Sequence, residues 1–163
     1  MSADPFSGTF NLVDNMAAPA TALSYSLGSE QGPAAPWGRY HLHVDLASGR
    51  ALIERRRLGR LDTWEVEVSD GWISRVQDTL SRTPFPDGGP GVLHADESPR
   101  QLTVGAQSCQ VTLRPDADPA WAGLFRLLDA PMWLVCPEFM AGSWPDGLDE
   151  DWVRPVHGQG VAV

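Results

Sequence analysis

The chain contains no lysine, only two cysteines and four histidines, and no long apolar run. Each absence closes off a class of explanation. All 12 basic residues are arginine, and against 21 acidic residues they leave a net charge of −9. Binding nucleic-acid phosphates needs clustered positive charge, so this field argues against a nucleic-acid partner and attracts basic ones. The missing lysine itself reads as compositional, the mark of a GC-rich coding sequence. Cys109 and Cys136 are too few for the disulfide framework of a small secreted domain and cannot complete a zinc site by themselves. Cys109 alternates with Val111 and Leu113 on one strand face and reads as a small buried hydrophobe. No window holds the roughly eighteen consecutive apolar residues of a membrane helix, so no membrane partner is expected. Met1-Ser2-Ala3-Asp4-Pro5 lacks the basic region and apolar block of a secretory signal, which predicts a cytoplasmic protein.

The short motifs that announce chemistry are missing as well. There is no Gly-x-Gly-x-x-Gly after a strand, no phosphate-binding loop, no Gly-x-Ser-x-Gly elbow, no His-Glu-x-x-His and no Cys-x-x-Cys. Asp87-Gly88-Gly89 and Asp146-Gly147 are turn chemistry. The sequence therefore predicts no catalytic residue, no metal and no cofactor.

What is present is a regular alternation. Leu23, Tyr25 and Leu27 alternate with serines, and Tyr40, Leu42, Val44 and Leu46 share one face against Arg39, His41, His43 and Asp45. That period of two predicts half-buried strands. Ala47-Ser48-Gly49 is a turn into a strand from Ala51 to about Arg56, and Gly59 to Asp62 brackets the next turn. Thr63 to Val68 forms another strand with Trp64, Val66 and Val68 inward. Ser69 or Asp70 then caps a helix whose apolar residues Trp72, Ile73, Val76 and Leu80 fall at helical spacing, and Thr83-Pro84 ends it. Pro84 to Pro99 reads as a long surface loop. Two more strands follow, about Gln101 to Val104 and Gln107 to Arg114. Asp118 and Pro119 open a second, strongly apolar helix that Pro131 ends or kinks, leaving Met132 to Val135 as a continuation or a buried coil. Residues 137–163 read as an irregular acidic arm held by Phe139, Trp144 and Trp152. The expectation is one α+β domain spanning 1–163: an antiparallel sheet of about six or seven strands with two helices on one face, with a small β-barrel as the alternative.

His41-Leu42-His43 is the sharpest chemical candidate. Residues two apart on a strand point to one side about 7 Å apart, a spacing from which two imidazoles can grip one metal ion. Cupins use this device, but with a glutamate three or four residues after the second histidine, where this chain has Leu46 and Ala47. Two ligands do not make a site, so the pair reads first as a polar strand face. Arg55-Arg56-Arg57, with Arg60 near, suggests phosphate binding, but Glu65 and Glu67 on the next strand make cross-strand ion pairing the simpler account. Of the seven tryptophans, Trp64, Trp72 and Trp121 fall at core positions, while Trp37, Trp144 and Trp152 lie in loops or the arm.

Two functional readings remain. The first is a non-enzymatic protein-binding module whose arm residues Trp144, Asp146, Asp149, Glu150, Asp151 and Trp152 dock on a basic partner, combining charge for steering with rings for anchoring. In size and charge the chain is similar to small bacterial immunity proteins, which neutralise cognate toxins; the similarity is one of general character and no motif carries it. The second is a small enzyme or ligand-binding barrel, metal-dependent through His41 and His43.

Overall fold

A computed structural model describes residues 21–28, 38–57, 59–87, 100–111, 119–136, 148–156 and 161–162. Its strands are β1 (Ala22–Gly28), β2 (Arg39–Asp45), β3 (Arg50–Arg57), β4 (Arg60–Val68), β5 (Arg100–Val104), β6 (Gln107–Val111), β7 (Val153–Pro155) and β8 (Val161–Ala162), with helices α1 (Asp70–Leu80) and α2 (Pro119–Val135). All pairings are antiparallel, in the order β6-β5-β1-β2-β3-β4-β7, with β8 also on β4. The order is an open path, not a closed barrel. The α+β architecture expected from the sequence is what forms.

The alternation in the sequence becomes two faces. Tyr25, Leu42, Ile53, Val66 and Leu102 lie fully buried on the inner face, beneath Trp72, Val76, Leu124, Phe125 and Leu128 of the helices. Each such aliphatic side chain contributes about 1.5–3 kcal/mol on leaving water. The β2–β3 turn works through two residues. The Asp45 carboxylate accepts from the Ala47 N–H and the Ser48 hydroxyl, and these bonds hold its pKa below the usual carboxylate range. Gly49 sits at φ +80°, where a Cβ would lie 2.8 Å from the Val68 carbonyl oxygen, so a side chain is excluded twice over.

Three details differ from the sequence expectation or resolve it. Asp62 is not in a turn: β4 begins at Arg60, and Asp62 lies opposite Arg55, only 1% exposed. It accepts from Arg55 and Arg60, so the partner of Arg55 is this aspartate rather than Glu65 or Glu67; Glu67 pairs with Arg154 instead. A turn residue became a strand residue because a buried ion pair outweighed aspartate's low strand preference. Second, α2 continues through Pro131. Proline has no N–H to offer the carbonyl four residues back, which is that of Leu127. The Trp72 indole N–H bonds that carbonyl at 2.8 Å, and the Tyr40 hydroxyl bonds the next one, Leu128, at 2.9 Å. The Trp72 ring donor thus supplies from outside the helix the bond that Pro131 cannot give. Third, the C-terminal stretch contributes β7 and β8 to the sheet, so it is not irregular throughout. Residues 88–99 of the proline-rich loop lie outside the described residues.

No helix among the described residues is long and apolar enough to cross a membrane.

Candidate functional site

Strand alternation puts His41 and His43 on the face of β2 away from the helices, both half-buried. Register decides their neighbours. His43 lies opposite Ser24 of β1, and His41 lies opposite Glu54 of β3. The imidazoles stack at 5.8 Å between centroids with planes 21° apart. His43 Nδ1 is 3.1 Å from Ser24 Oγ, and its Nε2 is 3.3 Å from Glu54 Oε1. Arg39 Nε donates to His41 Nε2 at 2.7 Å. Burial, then the positive charge of Arg39, holds the His41 pKa below its ordinary value.

Ser24, His43 and Glu54 stand in the sequence nucleophile, base, carboxylate that hydrolases use. The row supplies a proton path, with the ring nitrogens exchanged relative to the usual arrangement. Ser24 is on a central strand, paired to β2 on one side and β5 on the other, so the amides of β1 serve the two ladders and are not free to hold an oxyanion. The arrangement fits ligand binding better than acyl transfer. His41, His43 and Glu54 each offer one donor atom, and these lie within 4.8 Å of one another. Glu54 was invisible to a sequence search because it is contributed by the next strand, and only the β2–β3 register reveals it.

A second polar cluster lies on the inner face. Tyr25 donates to Asp129 at 2.6 Å, and Arg100 contacts both Asp129, at 3.0 Å, and the Tyr25 hydroxyl. The Arg100 guanidinium rests 5.0 Å from the Phe125 ring centre. Burial pushes the Tyr25 hydroxyl well above its ordinary pKa and raises the Asp129 carboxyl, against the opposing pull of Arg100. A cavity of about 220 Å³ opens beside the pair, lined also by Trp133 and Leu148. Because the cluster ties β1 and β5 to α2, it acts as a latch. Between the helices a wider groove of about 550 Å³ is lined by Arg75, Arg82 and Arg126 with Trp152.

The residues read as partner-binding divide into three. Trp144 and Asp146 lie outside the described residues. Asp149, Glu150 and Asp151 are exposed on a 3-10 turn that runs from Glu150 to Trp152, with the Asp149 side chain accepting from the Asp151 N–H at 2.9 Å. Trp152 is not an exposed anchor: it is 5% exposed, and Arg75 stacks 5.6 Å from its ring centre. Its carbonyl accepts from the Ser69 N–H at 2.9 Å, tying the acidic turn to the start of α1. Cys109 is half-buried and Cys136 buried, and burial raises the Cys109 thiol. No family model matches the chain, and neither a curated protein nor a solved structure shows significant similarity to it.

Proposed function

We propose that the protein is a non-enzymatic protein-binding module that docks on a basic partner through Asp149, Glu150 and Asp151, in the manner of a small acidic immunity-type protein. The observation that carries this reading is the fixed presentation of the acidic turn. Three exposed carboxylates follow one another on backbone that is closed by the Trp152 N–H to the Asp149 carbonyl at 3.0 Å. The buried Trp152 ring and the β4–β7 pairing hold it from the other end. Charge presented on ordered backbone loses less conformational entropy on binding than charge on a free arm. The net charge of −9 adds long-range steering toward a basic surface. Trp152 supports the surface from beneath, and Trp144 and Asp146 are the candidate flanking contacts.

The test is purification of the native complex, with the wild type and with Asp149, Glu150 and Asp151 all changed to arginine. A stoichiometric basic protein should accompany the wild type, and the reversed variant should bind it more slowly and with a flatter salt dependence. A partner retained unchanged by a reversed variant that melts like the wild type would refute the reading, as would elution of the wild type alone.

A further inference from the structure

We propose that His41, His43 and Glu54 form a binding site for a single divalent transition-metal ion with zinc's coordination preferences, and that Arg39 competes with the ion for His41. The three residues reach one place for elementary reasons. Strand alternation puts the two histidines on one side of β2, and the β2–β3 register sets Glu54 directly across from His41. Their donor atoms fall within 4.8 Å of one another. The 3.3 Å between His43 Nε2 and Glu54 Oε1 is the edge length of a tetrahedron whose metal–ligand bonds are about 2.0–2.1 Å. Two imidazole nitrogens and one carboxylate oxygen suit zinc. They are poor ligands for calcium or magnesium, which prefer oxygen throughout, and the set lacks the thiolate that favours cuprous copper. Three protein ligands leave the fourth position to water on the open side of the sheet.

The surroundings bear on affinity in opposite directions. Ser24 Oγ, 3.1 Å from His43 Nδ1, accepts a hydrogen bond from the Nδ1–H when Nε2 is the ligand, and so fixes both ring orientation and tautomer. Arg39 works the other way. Its Nε–H takes the Nε2 lone pair of His41 at 2.7 Å, and the guanidinium must leave before that nitrogen can ligate. Arg56, across from Arg39 in the ladder, adds a second positive charge nearby. The site is therefore built from ligands on the sheet and a cationic competitor on the same strand. A plain polar face also accommodates these contacts, but it gives no reason for removal of an arginine to tighten metal binding.

That asymmetry is the test. Zinc ion is titrated into the metal-free full-length protein against a chromophoric chelator at neutral pH, with cobalt ion as a spectroscopic probe. The expected result is one ion per chain and the intense visible absorption of four-coordinate cobalt. His41→Gln, His43→Gln and Glu54→Gln should each weaken binding at least about tenfold, and Ser24→Ala by about tenfold. Arg39→Ala should tighten it severalfold. His94 and His157, both outside the described residues, provide the control: changing both to glutamine should leave affinity unchanged. No stoichiometric binding, or binding that survives all three ligand variants, or loss on changing His94 and His157, would overturn the site. Unchanged or weaker affinity in Arg39→Ala would overturn the competition. Matching far-ultraviolet circular dichroism across the variants excludes misfolding as the cause.

Discussion

The two faces of the sheet are made by the same strands, and they are held by different physics. On β2, Leu42 is completely buried on one side while His41 and His43 lie half-exposed on the other. The inner face is mainly apolar, and several of its polar atoms have dedicated partners: the Tyr40 hydroxyl on Leu128, the Trp72 indole on Leu127, the Tyr25 hydroxyl on Asp129. The outer face is wet, and its contacts are lateral ones between side chains of neighbouring strands. Packing dominates the first, with the Arg55–Asp62 and Arg100–Asp129 pairs enclosed in it, while the second is held by charged and polar groups within reach of water. Substitutions should therefore be felt as lost stability on the inside and as altered chemistry on the outside.

Three measurements press on that distinction. The largest effect belongs to Leu42→Ala, which should cost about 3 kcal/mol in denaturant unfolding because the cavity is enclosed by sheet and helices. A loss below about 1 kcal/mol would mean the inner face is as forgiving as an exposed surface. Next is Tyr25→Phe, which keeps the ring and removes a hydroxyl bonded to a buried carboxylate. It should cost about 2 kcal/mol, and no change would show that the Arg100–Asp129 pair needs no third member.

The smallest effect is on the outer face and is set by pH. Hydrogen bonding and charge from Arg154 hold the Glu67 pKa below its ordinary value of 4.5. A carboxyl depressed in the folded state contributes stability above its unfolded value, and this is lost as the pH falls through the folded one. Melting temperature should therefore decline below about pH 4.5 slightly less in Glu67→Gln than in the wild type, and raised salt should erase the difference. Asp129 has the opposite sign. Its pKa is raised by burial, so acidification relieves a cost already present at neutral pH. Identical acid-side profiles for wild type and Glu67→Gln at low salt would show that the outer ion pair contributes nothing.

The same division explains how much of the molecule was legible in the sequence. The inner face was readable because burial imposes a period, and Tyr40, Leu42 and Val44 displayed it without interruption. The α1 cap was readable because a serine hydroxyl bonding the Trp72 N–H is a local device. Asp62 was misplaced because its reason for being in a strand is Arg55, on the preceding strand. The passage of α2 through Pro131 depended on a tryptophan in a different helix. On the outer face, His41 and His43 were visible as a pair, yet Glu54 and Ser24 acquired meaning only with register. Arg100 and Asp129 carried no signal at all, since the bonds joining them to Tyr25 span 75 and 104 residues.

That long span governs when the protein can fold. β1 to β4 leave a growing chain as consecutive hairpins, but β5 and β6 must come back past them to pair with β1, and β7 must close on β4. Until α2 arrives, only α1 covers Leu42, Ile53 and Val66. A partly synthesised chain thus holds an apolar sheet covered by one helix only and with two unpaired edges, a combination prone to pair with another chain. Folding is consequently a late event in synthesis and a slow one for the protein's size, because the contacts that complete the core join distant parts of the sequence.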